Sequence, residues 1–127
     1  MKAIAVAVVS VALLAGCGGG GGGGGAAQPA GSIKVSMTEY HFDPGSISAS
    51  HGKVVFFLVN SGTISHDMII TTGSGSASGS VVGRSELVSA GDTFVFTVDN
   101  LAAGSYTYYC DQPGHEQSGM HGTLTVT

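Results

Sequence analysis

The chain has 127 residues and carries four Lys and Arg against eight Asp and Glu, a formal charge of −4. This length suits one domain with a single core. The few basic residues are not clustered, which excludes a strong nucleic-acid surface. Helix formers are scarce after residue 30, whereas Val, Thr, Ser, Phe and Tyr are plentiful. That bias predicts an all-β domain.

Residues 1–16 read as a targeting segment, a signal peptide, rather than as fold. Lys2 supplies the positive charge, and Ala3 to Ala15 is apolar but for Ser10. The stretch is too short for a membrane-spanning helix, which takes roughly 20 apolar residues. It ends in Leu14-Ala15-Gly16-Cys17, which resembles a bacterial lipobox. The resemblance implies cleavage before Cys17 and a diacylglyceryl group on its sulfur. Two or more acyl chains give stable anchoring, so the mature protein is expected on the periplasmic or extracytoplasmic side, held to a membrane. It would keep Lys34, Lys53 and Arg84 against all eight acids, a charge of −5. Residues 17–31 are the lipidated Cys and a tether, with an unbroken glycine run from Gly18 to Gly25. Such a segment has nothing to bury and should stay flexible, with a reach of about 20 Å.

The domain is expected over residues 32–127. Ile33 to Met37 alternates apolar and polar, as a half-buried strand should. Tyr40 to Gly45 breaks the pattern, with Pro44-Gly45 marking a turn. Ile47 to Ser50 is a short strand. Lys53 to Asn60 is apolar on both faces and reads as a central strand. After a turn at Asn60 to Thr63, His66 opens a strand running to Thr71. Thr72 to Gly83 is rich in Gly and Ser and reads as a mobile surface loop. Ser85 to Ser89 is a weak strand, and Thr93 to Val98 a cleanly alternating one. Tyr106 to Cys110 and Gly122 to Val126 complete the set, with one helical turn at most between Glu116 and Met120. Seven to eight short strands with regular turns predict a Greek-key β-sandwich or barrel.

Cys110, His115 and Met120 follow one another at five-residue intervals in a Gly- and Pro-containing loop. A thiolate, an imidazole and a thioether form the soft, mixed donor set that copper prefers. Trigonal His₂Cys sites with a weak axial Met are blue-copper sites, so a second histidine is needed. His66 is the candidate, because a sandwich brings distant loops together at its ends. With Cys17 carrying lipid, Cys110 has no disulfide partner, and metal ligation explains a lone exported thiol. His41, His51 and His121 read as solvated residues.

Several segments carry a family resemblance: Tyr40-His41-Phe42-Asp43-Pro44, Gly52 to Asn60, Asn60-Ser61-Gly62-Thr63 before His66, Ala103-Gly104-Ser105-Tyr106, and Tyr109-Cys110-Asp111-Gln112-Pro113-Gly114-His115 through Met120-His121-Gly122-Thr123-Leu124. From about Ile33 to Val126 the chain resembles a cupredoxin of the plastocyanin and auracyanin type. Its Cys-x₄-His-x₄-Met spacing is closer to auracyanin and rusticyanin than to plastocyanin. The resemblance implies one type 1 copper, with His66, Cys110, His115 and Met120 as ligands and the edge of His115 as the electron port. Many cupredoxins carry Asn after the first ligand histidine, where it ties that loop to the cysteine loop; here Asp67 stands there. A carboxylate at that point favours Cu(II). Pro113 lacks an N–H and removes one possible donor to the Cys110 sulfur.

The function expected is single-electron transfer between periplasmic or membrane redox partners, such as a cytochrome or a membrane oxidase or reductase complex. The protein would act as a monomer and not as an enzyme. Multicopper enzymes need a second copper centre with further histidines, and the chain has no His-x-His. A copper storage or delivery protein is the alternative. It would need exposed, exchangeable Met- or His-rich tracts, and only four Met are present.

Overall fold

The computed structural model describes residues 26–76 and 79–127. The expected signal peptide, Cys17 and the glycine run lie outside these residues. Residues 26–31, the end of the expected tether, run against the domain. There the Ala26 N–H donates to Thr93 Oγ1 at 3.0 Å and the Ser32 N–H to the Pro29 carbonyl at 3.1 Å. Among the described residues no helix is long and apolar enough to cross a membrane.

Nine strands form the described fold: β1 (Ile33–Thr38), β2 (His41–Asp43), β3 (Ser46–Ala49), β4 (Gly52–Asn60), β5 (Ile69–Thr72), β6 (Val81–Arg84), β7 (Thr93–Leu101), β8 (Gly104–Tyr109) and β9 (His121–Val126). They make two sheets, ordered β2-β1-β4-β7 and β3-β9-β8-β5-β6. Pairing is antiparallel except for β1 with β4 and β3 with β9. The result is the all-β sandwich that the composition and turn spacing predict.

The core follows from alternation. One sheet sends Val35, Met37, Phe56, Leu58, Phe96 and Val98 inward, and the other Ile47, Ile70, Tyr106, Tyr108, Leu124 and Val126. β4 lies between β1 and β7 and carries apolar residues on both faces: Val54, Phe56 and Leu58 enter the core, while on the other face Phe57 is buried and Val55 and Val59 are half-buried. Phe56 and Phe96 are register partners and stack at 5.8 Å. Phe42 meets Tyr108 edge-on at 5.2 Å, and the Tyr108 hydroxyl donates to the Pro44 carbonyl at 2.6 Å. The Tyr108 ring lies over Gly122, its cross-strand partner. A Cβ at residue 122 would sit 2.3 Å from that ring, so only glycine fits there.

Four segments depart from the sequence reading. Val81–Arg84 is an edge strand rather than the end of a loop, and Val81 is 51% exposed, which removes the alternation that marks a strand. Ser85 to Ser89 is not a strand: it contributes a single bridge, Val88 to His66. Short β2 was likewise not anticipated, because Pro44 follows it directly. The strand expected to open at His66 begins only at Ile69.

At one end of the sandwich, buried Asn60 organises the β4–β5 connection. Its Nδ2 donates to the Ile64 and Val88 carbonyls, both at 2.8 Å, and its Oδ1 accepts the Gly62 N–H at 2.9 Å. This fixes the path of the chain just before His66.

Candidate metal centre

Cys110 directly follows β8, and the β8–β9 loop carries His115 and Met120. That loop folds back on itself in turns. The Cys110 N–H donates to the Met120 carbonyl and the Met120 N–H to the His115 carbonyl, both at 3.1 Å. Three expected ligands are therefore tied to one another through backbone. Gly114 and Gly119 take φ values of 80° and 110°, which side-chain-bearing residues rarely adopt. Both positions let the loop reverse sharply around His115.

His66 reaches this loop from the other sheet connection. It is held by two backbone hydrogen bonds with Val88, at 3.1 and 2.8 Å. His66 Nδ1 lies 3.2 Å from His115 Nδ1, and the Cys110 sulfur lies 3.9 Å from the first and 3.4 Å from the second. One donor atom from each of the three falls within 4.8 Å of the others. His66, Cys110 and Met120 are wholly buried and His115 is 8% exposed. The structure thus gathers His66, Cys110 and His115 as donors and closes the loop with buried Met120. It leaves His41, His51 and His121 exposed. His41 faces Thr38, and His51 faces the Thr127 carbonyl.

Burial sets the protonation of the donors. Burial pushes the Cys110 thiol up to about 11, against the pull of the Asp67 and Gln112 backbone amides. Gln112 thus supplies a donor beside Pro113, which has none. Burial also lowers the pKa of His66, keeping the ring neutral and available as a ligand. Two imidazoles and one sulfur, with a thioether alongside, form a set that fits copper and gives harder cations no carboxylate oxygen.

Asp67 makes the tie that Asn would make elsewhere. Its Oδ1 accepts the Asp111 N–H at 3.0 Å, and its Oδ2 lies 3.4 Å from Gln112 Nε2. Burial pushes its carboxyl up, and the adjacent Asp111 side chain adds to this. Asp111 itself is held down by Asp67 and by its ion pair with Arg84 on β6.

One participant escaped the sequence reading. Glu39, between β1 and β2, places Oε1 at 3.1 Å from His66 Nε2. The same oxygen accepts the Thr63 N–H at 2.8 Å and the Ile64 N–H at 3.1 Å. These contacts, the Thr63 amide foremost, hold its carboxyl down to about 2. No local pattern marks Glu39, since a single acid in a turn reads as solvated. Tyr40, its neighbour, packs edge-on against the His115 ring at 5.0 Å.

The sequence matches the family of copper-binding proteins of the plastocyanin/azurin type over residues 29–127. It is 46% identical over 41 residues to auracyanin-B of Chloroflexus aurantiacus, a stretch that is 32% of this chain and 17% of that protein. The structure is similar to that of auracyanin B, with a TM-score of 0.68 and 24% identity, covering 84% of this chain and 96% of the other. It is also similar to part of a multicopper oxidase, with a TM-score of 0.57 and 14% identity over 75% of this chain and 41% of the oxidase. These likenesses to solved structures concern the fold.

Proposed function

Since the chain belongs to the plastocyanin/azurin family of copper-binding proteins, with one type 1 copper as its cofactor, we propose that it carries single electrons between redox proteins. The observation that supports this most is the enclosed convergence of His66, Cys110 and His115 at the end of a rigid sandwich. His66 and His115 would hold the metal through Nδ1, Cys110 through its sulfur, and Met120 through its thioether. Copper, when bound there, supplies a one-electron couple.

The protein's own residues do the rest. Backbone hydrogen bonds from Val88, Met120 and His115 fix the donors, so little has to move when the charge of the site changes. Burial keeps water out, which suits electron transfer and disfavours substrate chemistry. His115 is the ligand with residual exposure, and Pro113, Gly114 and Gly119 around it are exposed. That edge is the port for electrons, open to a donor and then an acceptor such as a cytochrome or a membrane complex. Enclosure of the donors argues against storage or delivery, which need ligands that exchange. Lipid on Cys17, with the glycine run as a tether, would keep the domain beside a membrane outside the cytoplasm.

The test is addition of Cu(II) to the purified domain, with visible and electron paramagnetic resonance spectra and a redox titration. The expected outcome is one intensely blue, reversibly reducible copper per chain. Copper bound without intense sulfur-to-metal absorption, or lost at once to a mild chelator, would overturn the proposal.

A further inference from the structure

His66 is buried between two kinds of neighbour. Its Nδ1 faces His115 and Cys110, and its Nε2 faces the Glu39 carboxylate at 3.1 Å. An ionised carboxylate only accepts, so the hydrogen of the neutral ring must be on Nε2. Nδ1 is then bare and points at the other donors. A ligand histidine whose second nitrogen donates to a carboxylate is fixed in tautomer and orientation and becomes more basic. The carboxylate is itself fixed, because the Thr63 and Ile64 amides donate to the same oxygen that accepts the hydrogen bond from His66 Nε2–H. It also joins the β1–β2 turn to the segment that delivers His66.

We propose that Glu39 is a positioning residue that sets the redox balance of the site by fixing the His66 tautomer and placing a negative charge behind the ring. The inference rests on the copper reading above. Negative charge stabilises the higher oxidation state more than the lower, so Glu39 holds the reduction potential down. Glu39 is 27 residues from His66 in sequence, and its side chain is about a quarter exposed at 26%. It therefore reports a charge at the outer edge of the site without touching the metal.

The experiment compares wild type with Glu39→Gln and Glu39→Ala, each loaded with Cu(II) and then titrated to Cu(I). Gln keeps an oxygen for the Thr63 and Ile64 amides and for His66 Nε2–H but removes the charge. The expected result for Glu39→Gln is a protein that stays blue while its Cu(II)-to-Cu(I) affinity ratio falls roughly tenfold, the scale at which such outer partners act. For one electron that is a rise in potential of about 59 mV. Glu39→Ala should raise the potential at least as much and also speed copper loss, because the loop anchor goes with it. A blue Glu39→Gln protein with wild-type potential overturns the role of Glu39 and leaves the copper reading standing. A wild-type protein that never turns blue sinks both. Nuclear magnetic resonance of the ring nitrogens in the wild-type metal-free protein needs neither a variant nor copper. A slowly exchanging proton on His66 Nε2 is expected, and a bare Nε2 there would refute the proposal independently.

Discussion

The Cys110 sulfur has no room to behave as an ordinary thiol. Burial raises its pKa to about 11, so at neutral pH the metal-free side chain keeps its proton. Copper needs the thiolate and must displace that proton. Binding of Cu(II) should therefore release the thiol proton, and affinity should rise about tenfold per pH unit between about pH 7 and 9. Competition titrations at several pH values check this; a flat profile would mean that the sulfur is not a ligand. Replacing Cys110 by Ser should abolish the blue absorption while leaving the fold intact. Asp67 offers a second residue-scale test. Its raised pKa means that the ionised form is disfavoured by folding, so at neutral pH the charge costs stability. Asp67→Asn keeps an oxygen for the Asp111 N–H and removes the charge. It should stabilise the metal-free protein, seen as a higher melting temperature at neutral pH and no gain at pH values where Asp67 is already protonated. Of the site, Cys110, His115 and Met120 were legible because one loop carries them at fixed spacing. His66 was legible because the chemistry required a second imidazole. Glu39 was not, since its link to His66 exists only once β1 and β4 pair.

At the scale of elements, strands with an alternating or apolar pattern were readable, edge strands β3 and β7 included, and edge strands β2 and β6 were not. Thr93 to Val98 alternates because β7 has one face on the core, and β4 stands out by its apolar run from Val54 to Val59. β6 has neither signature: Val81 and Val82 face outward, and Gly83 is pressed against Phe96 and Val98. Its glycine looked like loop composition but is a close approach of the two sheets. The same logic gives a test in β9. Gly122→Ala would drive a methyl into the Tyr108 ring, displacing it from Phe42 and from the Pro44 carbonyl. Overpacking of this kind costs about 1–3 kcal/mol, and loss of the tyrosine hydrogen bond adds about 1 kcal/mol. Gly45→Ala is the control, since its new methyl would meet nothing nearer than 3.8 Å. Urea unfolding should show a large fall in midpoint for the first and little change for the second.

For the molecule as a whole, the question is whether the metal holds the fold or the fold holds the metal. Small metal-dependent domains lack a core and unfold without their ion. Here one contiguous core joins both sheets, from Val35 and Phe56 to Leu124 and Val126, and Cys110 and Met120 merely extend it. Among the described residues no buried side-chain nitrogen or oxygen lacks a hydrogen-bond partner. His66 is satisfied by Glu39 on one side and His115 on the other. Contacts within the protein therefore hold the donors in place. The metal-free protein should unfold cooperatively in urea, with the same dependence on denaturant as the copper form, because both expose the same surface. Copper should only move the midpoint, by mass action worth about 2.7 kcal/mol when free metal is 100 times its dissociation constant. A metal-free protein with no cooperative transition, regaining one on adding copper, would show instead that the ion completes the fold.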